Sequence, residues 1–354
     1  MKKLNVGVIG IGGIAGTHIP GWQKSPHAEI IAFCDILPEV LHRVSDQHDI
    51  ALRYEDAREM IANPEIDVVD ICTPNAFHAP YAIAALKAGK HVLCEKPLAP
   101  TPAEVLEMIA ARDQSGKLLM TAQHFRFGNS AQALKAELDR GTLGDIYHAR
   151  SWMLRRAAVP TRPGFIYKKN SGGGPCIDIG VHILDLTLWM MGHPKPVSVT
   201  GVTQDKLIHQ AGSFSQWGRV PIPTDLDVEE FAAAFVRFDN GATLILEVSW
   251  MLHHNVPGGG SEDMQMWLYG TEGGAQWPKN ELLASSNPTM QFLNTQLQLA
   301  PSNAEAHAQE CIAFAEAIVE GRPSPVPPEE SLPVARILDG LYRSAASGTE
   351  VALS

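Results

Sequence analysis

At 354 residues the chain is longer than one average domain, and 45% apolar with only 19% charged residues supplies material for two large buried cores. This excludes a disordered or fibrous chain. Its 28 basic and 39 acidic residues, net −11, argue against a surface that coats nucleic acid or an anionic membrane. The five cysteines, Cys34, Cys72, Cys94, Cys176 and Cys311, are odd in number and form no CxxC pair. Neither a disulfide framework nor a zinc site is expected, and a reducing, cytoplasmic home fits.

Met1-Lys2-Lys3 before an uncharged run from Leu4 to Gln23 imitates a signal peptide. The glycines at 7, 10, 12, 13, 16 and 21, with Asn5, Thr17 and Pro20, would make a weak hydrophobic helix, so the run reads as a strand and turn inside the fold. Short apolar runs then alternate with helical patterns: strands at Asn5 to Ile9, Glu29 to Cys34, Val68 to Cys72, His91 to Cys94 and Leu118 to Ala122, and a helix at Ala79 to Ala88. This is the pattern of βαβ units on a parallel sheet. From about Tyr147 the texture changes, with longer strands at Ser198 to Val202, Glu229 to Phe238, Ala242 to Trp250 and Met264 to Tyr269. Asp239-Asn240-Gly241 joins two of these as a hairpin. Two helices follow, Ala304 to Glu320 and Glu329 to Ser347, around the proline-rich loop Arg322 to Pro328. The expected architecture is an α/β domain over 1–122 and an α+β domain over 123–354, with the C-terminal helices able to pack back on the first.

Gly10-Ile11-Gly12-Gly13-Ile14-Ala15 follows a strand and precedes a helix, matching the dinucleotide turn G-x-G-x-x-G/A. Gly10 permits the tight turn, Gly12 lets backbone approach a pyrophosphate, and Ala15 allows close helix–sheet packing. Asp35 closes the second strand, where a carboxylate accepts both ribose hydroxyls and repels a 2′-phosphate, favouring NAD over NADP. Thr73-Pro74-Asn75 with His78, and Glu95-Lys96-Pro97, end the third and fourth strands, where open α/β sheets place ligands. Lys96 is either a surface lysine or a group for proton transfer and hydroxyl polarisation.

In the run Gly172 to Asp185, proline after glycines suits a helix start. Asp178, His182 and Asp185 then fall at i, i+4 and i+7, one polar stripe on an apolar helix. A carboxylate one turn from a histidine suits an oriented general base; a satisfied core histidine accounts for the same spacing. Asp-x3-His supplies at most two metal ligands, so no metal is expected.

Taken together, Gly10 to Ala15, Asp35, Thr73-Pro74-Asn75, Glu95-Lys96-Pro97 and the Gly173 to Asp185 segment resemble, in order and spacing, the glucose-fructose oxidoreductase / inositol dehydrogenase (Gfo/Idh/MocA) family. The C-terminal runs Phe314 to Pro325 and Ile337 to Val351 extend the likeness over nearly the whole chain. The resemblance implies a Rossmann domain followed by an open-faced, mostly antiparallel sheet that often builds oligomer interfaces, here a homodimer or homotetramer. It implies NAD bound by Gly10, Gly12, Gly13, Ile14, Asp35, Thr73, Pro74, Asn75, His78, Glu95 and Lys96. It further implies that Lys96 binds the reacting hydroxyl and His182 takes its proton, while Asp178 orients substrate or His182; Asp185 has no settled place. Many relatives carry an asparagine and paired arginines after the fifth strand, whereas this chain reads Gln123-His124-Phe125-Arg126-Phe127, which leaves Gln123 or His124 for the nicotinamide end.

The implied function is NAD-dependent dehydrogenation of a ring hydroxyl in a sugar, glycoside or cyclitol. Leu154 to Pro160 and Gly172 to Gly192 look most like members that oxidise glucosides, including C3. The alternatives are an NAD-dependent glycosidase working through transient C3 oxidation and elimination, and a non-catalytic NAD-binding regulator. Residues 126 to 169 hold nine basic against three acidic groups, net +6 within an acidic chain. That stretch raises the expectation that Arg155 or Arg156 reaches the substrate pocket and favours an anionic or hydroxyl-rich sugar; a solvated or subunit-contacting face is the other reading. Trp152, Trp217 and Trp250 are candidates to stack on a sugar, although core or subunit packing explains each, and His253-His254, before a glycine loop, either lines the substrate mouth or is a solvated pair.

Overall fold

The computed structural model describes residues 3–299 and 305–353, which form two compact units divided after Gly128, with residues 305–332 returning to the first. The first holds a six-stranded parallel sheet of β1 (Leu4–Ile9), β2 (Ala28–Cys34), β3 (Leu52–Tyr54), β4 (Val68–Ile71), β5 (His91–Glu95) and β6 (Leu119–Ala122). Its spatial order is β3-β2-β1-β4-β5-β6. Val6, Val8, Val68, Val69, Ile71, Val92 and Leu93 are wholly buried, as expected of strands covered on both faces. Strand order reverses between β1 and β4, so a crevice opens at their carboxyl ends. The short strand β3 carries no alternation and was not expected.

The expected boundary at 122/123 falls before the division because the turn His124–Phe127 packs on the returning helix Ala306–Glu320. The expected start of that helix, Ala304, lies outside the described residues. Helix Ala306–Glu320 also crosses helix Ala15–Lys24 closely enough that a Cβ on Gly21 would lie 2.8 Å from the Cα of Ala308. Ile19, Trp22, Cys311 and Phe314 bury one another in the same core.

The second unit is built on a nine-stranded sheet of β7 (Ile146–Arg155), β8 (Pro196–Gln204), β11 (Phe231–Phe238), β12 (Thr243–Ser249), β13 (Glu262–Gly270), β14 (Gly274–Trp277), β15 (Glu281–Ser286), β16 (Gln291–Gln296) and β17 (Val351–Ala352). The two-residue strands β9 (Phe214–Ser215) and β10 (Val220–Pro221) pair separately. The large sheet runs β16-β15-β14-β13-β7-β12-β11-β8-β17, and only the β7/β12 pair is parallel. Gly241, at φ +84°, closes the expected β11–β12 hairpin. Along β11 and β12 buried residues alternate with half-buried ones, so one face packs and the other stays partly open. Helix Val181–Met190 lies on β7 and β13, and Leu341 of helix Pro328–Ser347 packs over Gly201 of β8. Among the described residues no helix is long and apolar enough to cross a membrane.

Replacing Gly21 by alanine drives a methyl into the Ala308 backbone, and we expect a loss of about 1–3 kcal/mol, the usual cost of overpacking. Chemical denaturation measures it; an unchanged midpoint would contradict this close crossing.

Candidate functional site

The glycine turn is set by backbone geometry. Gly10 adopts φ +82°, and a Cβ there would lie 2.8 Å from the Cys72 carbonyl oxygen, so only glycine fits. Its N–H donates to the Cys34 carbonyl at 2.8 Å, tying the end of β1 to β2. Gly12 and Gly13 are exposed, and nothing stands within 4 Å of where a Gly12 Cβ would be, which leaves that backbone open to a ligand. No side chain caps the first turn of helix Ala15–Lys24, which leaves the helix start open to an anion, with Thr17 N–H already donating to the Ile14 carbonyl at 2.9 Å. Ile14, half-buried, precedes that turn. The Asp35 carboxylate accepts from Ile11 N–H at 3.1 Å and Leu37 N–H at 3.0 Å, which fixes it beside the turn.

Thr73, Pro74 and Asn75 follow β4 and are half-buried or exposed. His78, expected among the cofactor contacts, is wholly buried. Its Nδ1 lies 2.7 Å from the Pro97 carbonyl oxygen and its Nε2 2.9 Å from that of Thr73. The ring therefore clamps two loops, and both of its nitrogens are taken by protein carbonyls. Burial lowers its pKa, and the two carbonyl partners oppose that shift. The Glu95 side chain turns inward, and Lys96 beside it is half-buried. Gln123, at the end of β6, is 2% exposed, and its Oε1 is buried with no hydrogen-bond donor among the described residues. Such an acceptor suits a carboxamide N–H. Its neighbour His124 is instead stacked on His307, ring centres 3.7 Å apart, with its pKa pushed down to about 3 by burial. The open glycine turn, the fixed Asp35 carboxylate and the orphaned Gln123 oxygen together fit NAD.

In the second unit, Cys176–Gly180 forms a wide π-helical turn that continues into helix Val181–Met190. The expected single stripe does not form. Asp178 is half-buried and accepts from Trp250 Nε1 at 3.1 Å, whereas His182 and Asp185 are buried. Trp250 is fully buried and so orients Asp178 rather than offering a face to a sugar. Trp152 donates to Asp263 at 2.9 Å, and Asp263 also faces His254 Nε2 at 2.9 Å. His253 is exposed.

Arg155 donates from Nε to Glu262 at 2.5 Å, lies 3.9 Å from Asp178, and stacks over the Trp217 ring at 4.8 Å. One cation beside two carboxylates leaves a local charge of −1, so Arg155 does not present a free positive charge for an anionic sugar. Arg156 is exposed. The glycine run before Asp178 is anchored by buried Glu229, whose Oε1 accepts from Gly174 N–H at 3.0 Å, Cys176 N–H at 3.4 Å and the Tyr342 hydroxyl at 2.7 Å. Glu229, Tyr342, Glu262 and Trp250 as the partner of Asp178 lay outside sequence reach, since each meets its partner across many intervening residues.

Residues 4–123 match the model of an oxidoreductase family with an NAD-binding Rossmann fold, and residues 131–276 match the GFO/IDH/MocA C-terminal domain. The chain belongs to the Gfo/Idh/MocA family. It is 32% identical to D-glucoside 3-dehydrogenase of Escherichia coli (strain K12) over 99% of this chain and 98% of that one. It is 30% identical to levoglucosan dehydrogenase of Pseudarthrobacter phenanthrenivorans over 77% and 73% of the two chains. A solved levoglucosan dehydrogenase, in complex with NADH and levoglucosan, superposes with a TM-score of 0.83 at 27% identity over the full length of both. Membership accounts for the observed order, a Rossmann domain with NAD as cofactor followed by the mixed sheet.

If Asp35 accepts from the ribose hydroxyls, as its place at the end of β2 implies, Asp35→Ala removes that charged acceptor. We expect the KM for NAD to rise about tenfold or more, as a lost charged hydrogen bond implies, and the preference over NADP to narrow. Steady-state kinetics with both cofactors read it; an unchanged ratio would remove Asp35 from this role.

Proposed function

We propose that the protein is an NAD-dependent dehydrogenase that oxidises a ring hydroxyl of a neutral sugar, glycoside or cyclitol, with C3 of a glucoside as the favoured position. The observation that carries the substrate class is the Arg155–Glu262–Asp178 group. Its charge is already balanced toward negative, and its outer members are hydrogen-bond acceptors suited to sugar hydroxyls. The likeness to relatives named for glucoside and levoglucosan oxidation supports the same class.

In this reading the Gly12–Gly13 backbone and the start of helix Ala15–Lys24 hold the cofactor pyrophosphate, Asp35 accepts from the ribose, and Gln123 Oε1 accepts from the carboxamide. Bound NAD supplies the hydride acceptor. The remaining work falls to the chain. Lys96 holds the reacting hydroxyl oxygen, and His182 takes the hydroxyl proton as the carbon is oxidised to a ketone. Asp178, fixed by the Trp250 N–H, accepts from an adjacent hydroxyl and sets the ring's orientation.

We also place the contacts of a homodimer or homotetramer on the half-open face of the nine-stranded sheet, where Phe235, Ile245, Trp267 and Tyr269 are partly exposed. On this reading Phe235→Asp lowers the sedimentation coefficient; an unchanged value removes this face from assembly. The free, buried cysteines support a reducing, cytoplasmic location.

His182→Ala and Lys96→Ala are each expected to retain NAD binding while kcat falls by about 10² to 10⁴, the usual contribution of proton-transfer groups. A panel of glucosides, free sugars and inositols, followed by NADH absorbance, makes the measurement. Turnover near that of the parent in either variant removes that residue from catalysis. Aglycone release without net NADH would replace the dehydrogenase with the glycosidase reading.

A further inference from the structure

His18 lies in the middle of helix Ala15–Lys24 and is completely buried, yet both of its ring nitrogens face carboxylates. Nδ1 is 3.0 Å from Asp70 Oδ2 and Nε2 is 3.0 Å from Glu95 Oε1. With both carboxylates ionised, both nitrogens carry hydrogen and the ring is an imidazolium. Asp70, wholly buried on β4, also accepts from Trp22 Nε1 at 2.7 Å and faces Cys72. The second oxygen of Glu95 accepts from the Lys96 amide at 2.9 Å. A continuous chain of bonds therefore runs from Asp70 through His18 and Glu95 to the backbone of Lys96.

We propose that His18 is a positioning residue: a buried cation that holds Glu95 in place and, through it, sets the Lys96 backbone from which the hydroxyl-gripping side chain projects. This rests on the reading of Lys96 given above.

The surrounding groups bear on the charge state from every side. Asp70 and Cys72 face His18 from β4 and its end, and Glu95 from β5. The returning helix Ala306–Glu320 contributes Glu310, with Oε1 at 3.6 Å, and Cys311. His307 on that helix bonds Glu310 at 3.1 Å and stacks on His124. Three buried carboxylates against one imidazolium would leave an excess of negative charge, which burial does not tolerate. Burial pushes the Glu310 carboxyl up to about 6. For Glu95, burial acts upward but is outweighed by the His18 hydrogen bond and charge and by Lys96, which pull it down to about 2. For His18 itself burial acts downward, and the charge and hydrogen bond of Asp70 together with Cys72 and Cys311 outweigh it, raising the ring well above its ordinary value. Glu95 thus stays ionised, and able to hold the Lys96 amide, only while His18 is charged.

The test has two arms. Ring-¹⁵N histidine NMR of the unaltered protein should show one imidazolium that persists to pH 9, where an ordinary histidine is neutral, and Asp70→Asn should abolish it. Absence of any such ring at pH 9 overturns the proposal whatever the fate of Lys96. In the second arm, His18→Gln should lower kcat about 100-fold, the scale of a misplaced catalytic group, with KM for NAD changed less than about threefold. It should also introduce an acid limb in kcat that the parent lacks, as burial raises the Glu95 carboxyl once His18 no longer opposes it. A variant whose activity falls only with its folded fraction, on an unchanged pH profile, overturns the positioning role. So does one equivalent of zinc that stays bound through gel filtration and is needed for turnover, because a metal would then hold Nε2 and Glu95. Should Lys96→Ala retain turnover while the imidazolium persists, the reading of Lys96 fails and the buried cation stands.

Discussion

A parallel sheet whose strand order reverses between β1 and β4 leaves the carboxyl ends of those two strands without a covering helix, and the chemistry of the first unit follows from that gap. Chain leaving β1 must turn sharply at the gap, which requires a residue able to adopt φ +82° against the Cys72 carbonyl; Gly10 satisfies this. The helix that follows brings its open N-terminus to the same place. Asp35, Thr73, Lys96 and Gln123 each end a strand on this edge, so parallel pairing alone gathers them. The same helix carries His18 under the sheet, where its ring meets the strands that present Asp70 and Glu95.

In the second unit buried and half-buried polar groups hold one another in place. Arg155, Glu262 and Asp178 offset one another, Trp250 fixes Asp178 from within the core, and Asp263 is shared between Trp152 and His254. Glu229 anchors the glycine run through two backbone N–H groups and Tyr342, and a Cβ at Gly174 would fall 2.1 Å from the Glu229 carbonyl oxygen. The wide turn at Cys176–Gly180 thus begins from a rigid support.

What was legible in the sequence was what is local. Strand, glycine turn and acid lie within one βαβ unit, so Gly10 to Ala15 and Asp35 could be read from spacing, and the Asp239-Asn240-Gly241 hairpin announced itself through its turn chemistry. β7 escaped notice although it is central to its sheet, because its neighbours β12 and β13 follow far along the chain and its arginines mask the apolar alternation. A glycine run and a proline mark where a helix begins but say nothing of its pitch, so the π-helical turn that separates Asp178 from the expected stripe was invisible. The basic stretch around Arg155 and Arg156 suggested an anion site by composition; its actual charge depends on Glu262, a residue more than a hundred positions away. His18 carries no local sequence signal, because Asp70, Glu95 and Glu310 reach it from two strands and the returning helix.

The proposed reaction is a direct transfer of hydride from a sugar ring carbon to NAD. A methyl glucoside deuterated at C3, incubated with NAD and the protein, measures it most directly, with mass spectrometry of the cofactor and NMR of the sugar. The account predicts a 3-keto glycoside and one deuterium on the reduced nicotinamide for each product molecule. Reduced cofactor without deuterium places oxidation at another carbon, and sugar released with no reduced cofactor contradicts the dehydrogenase altogether.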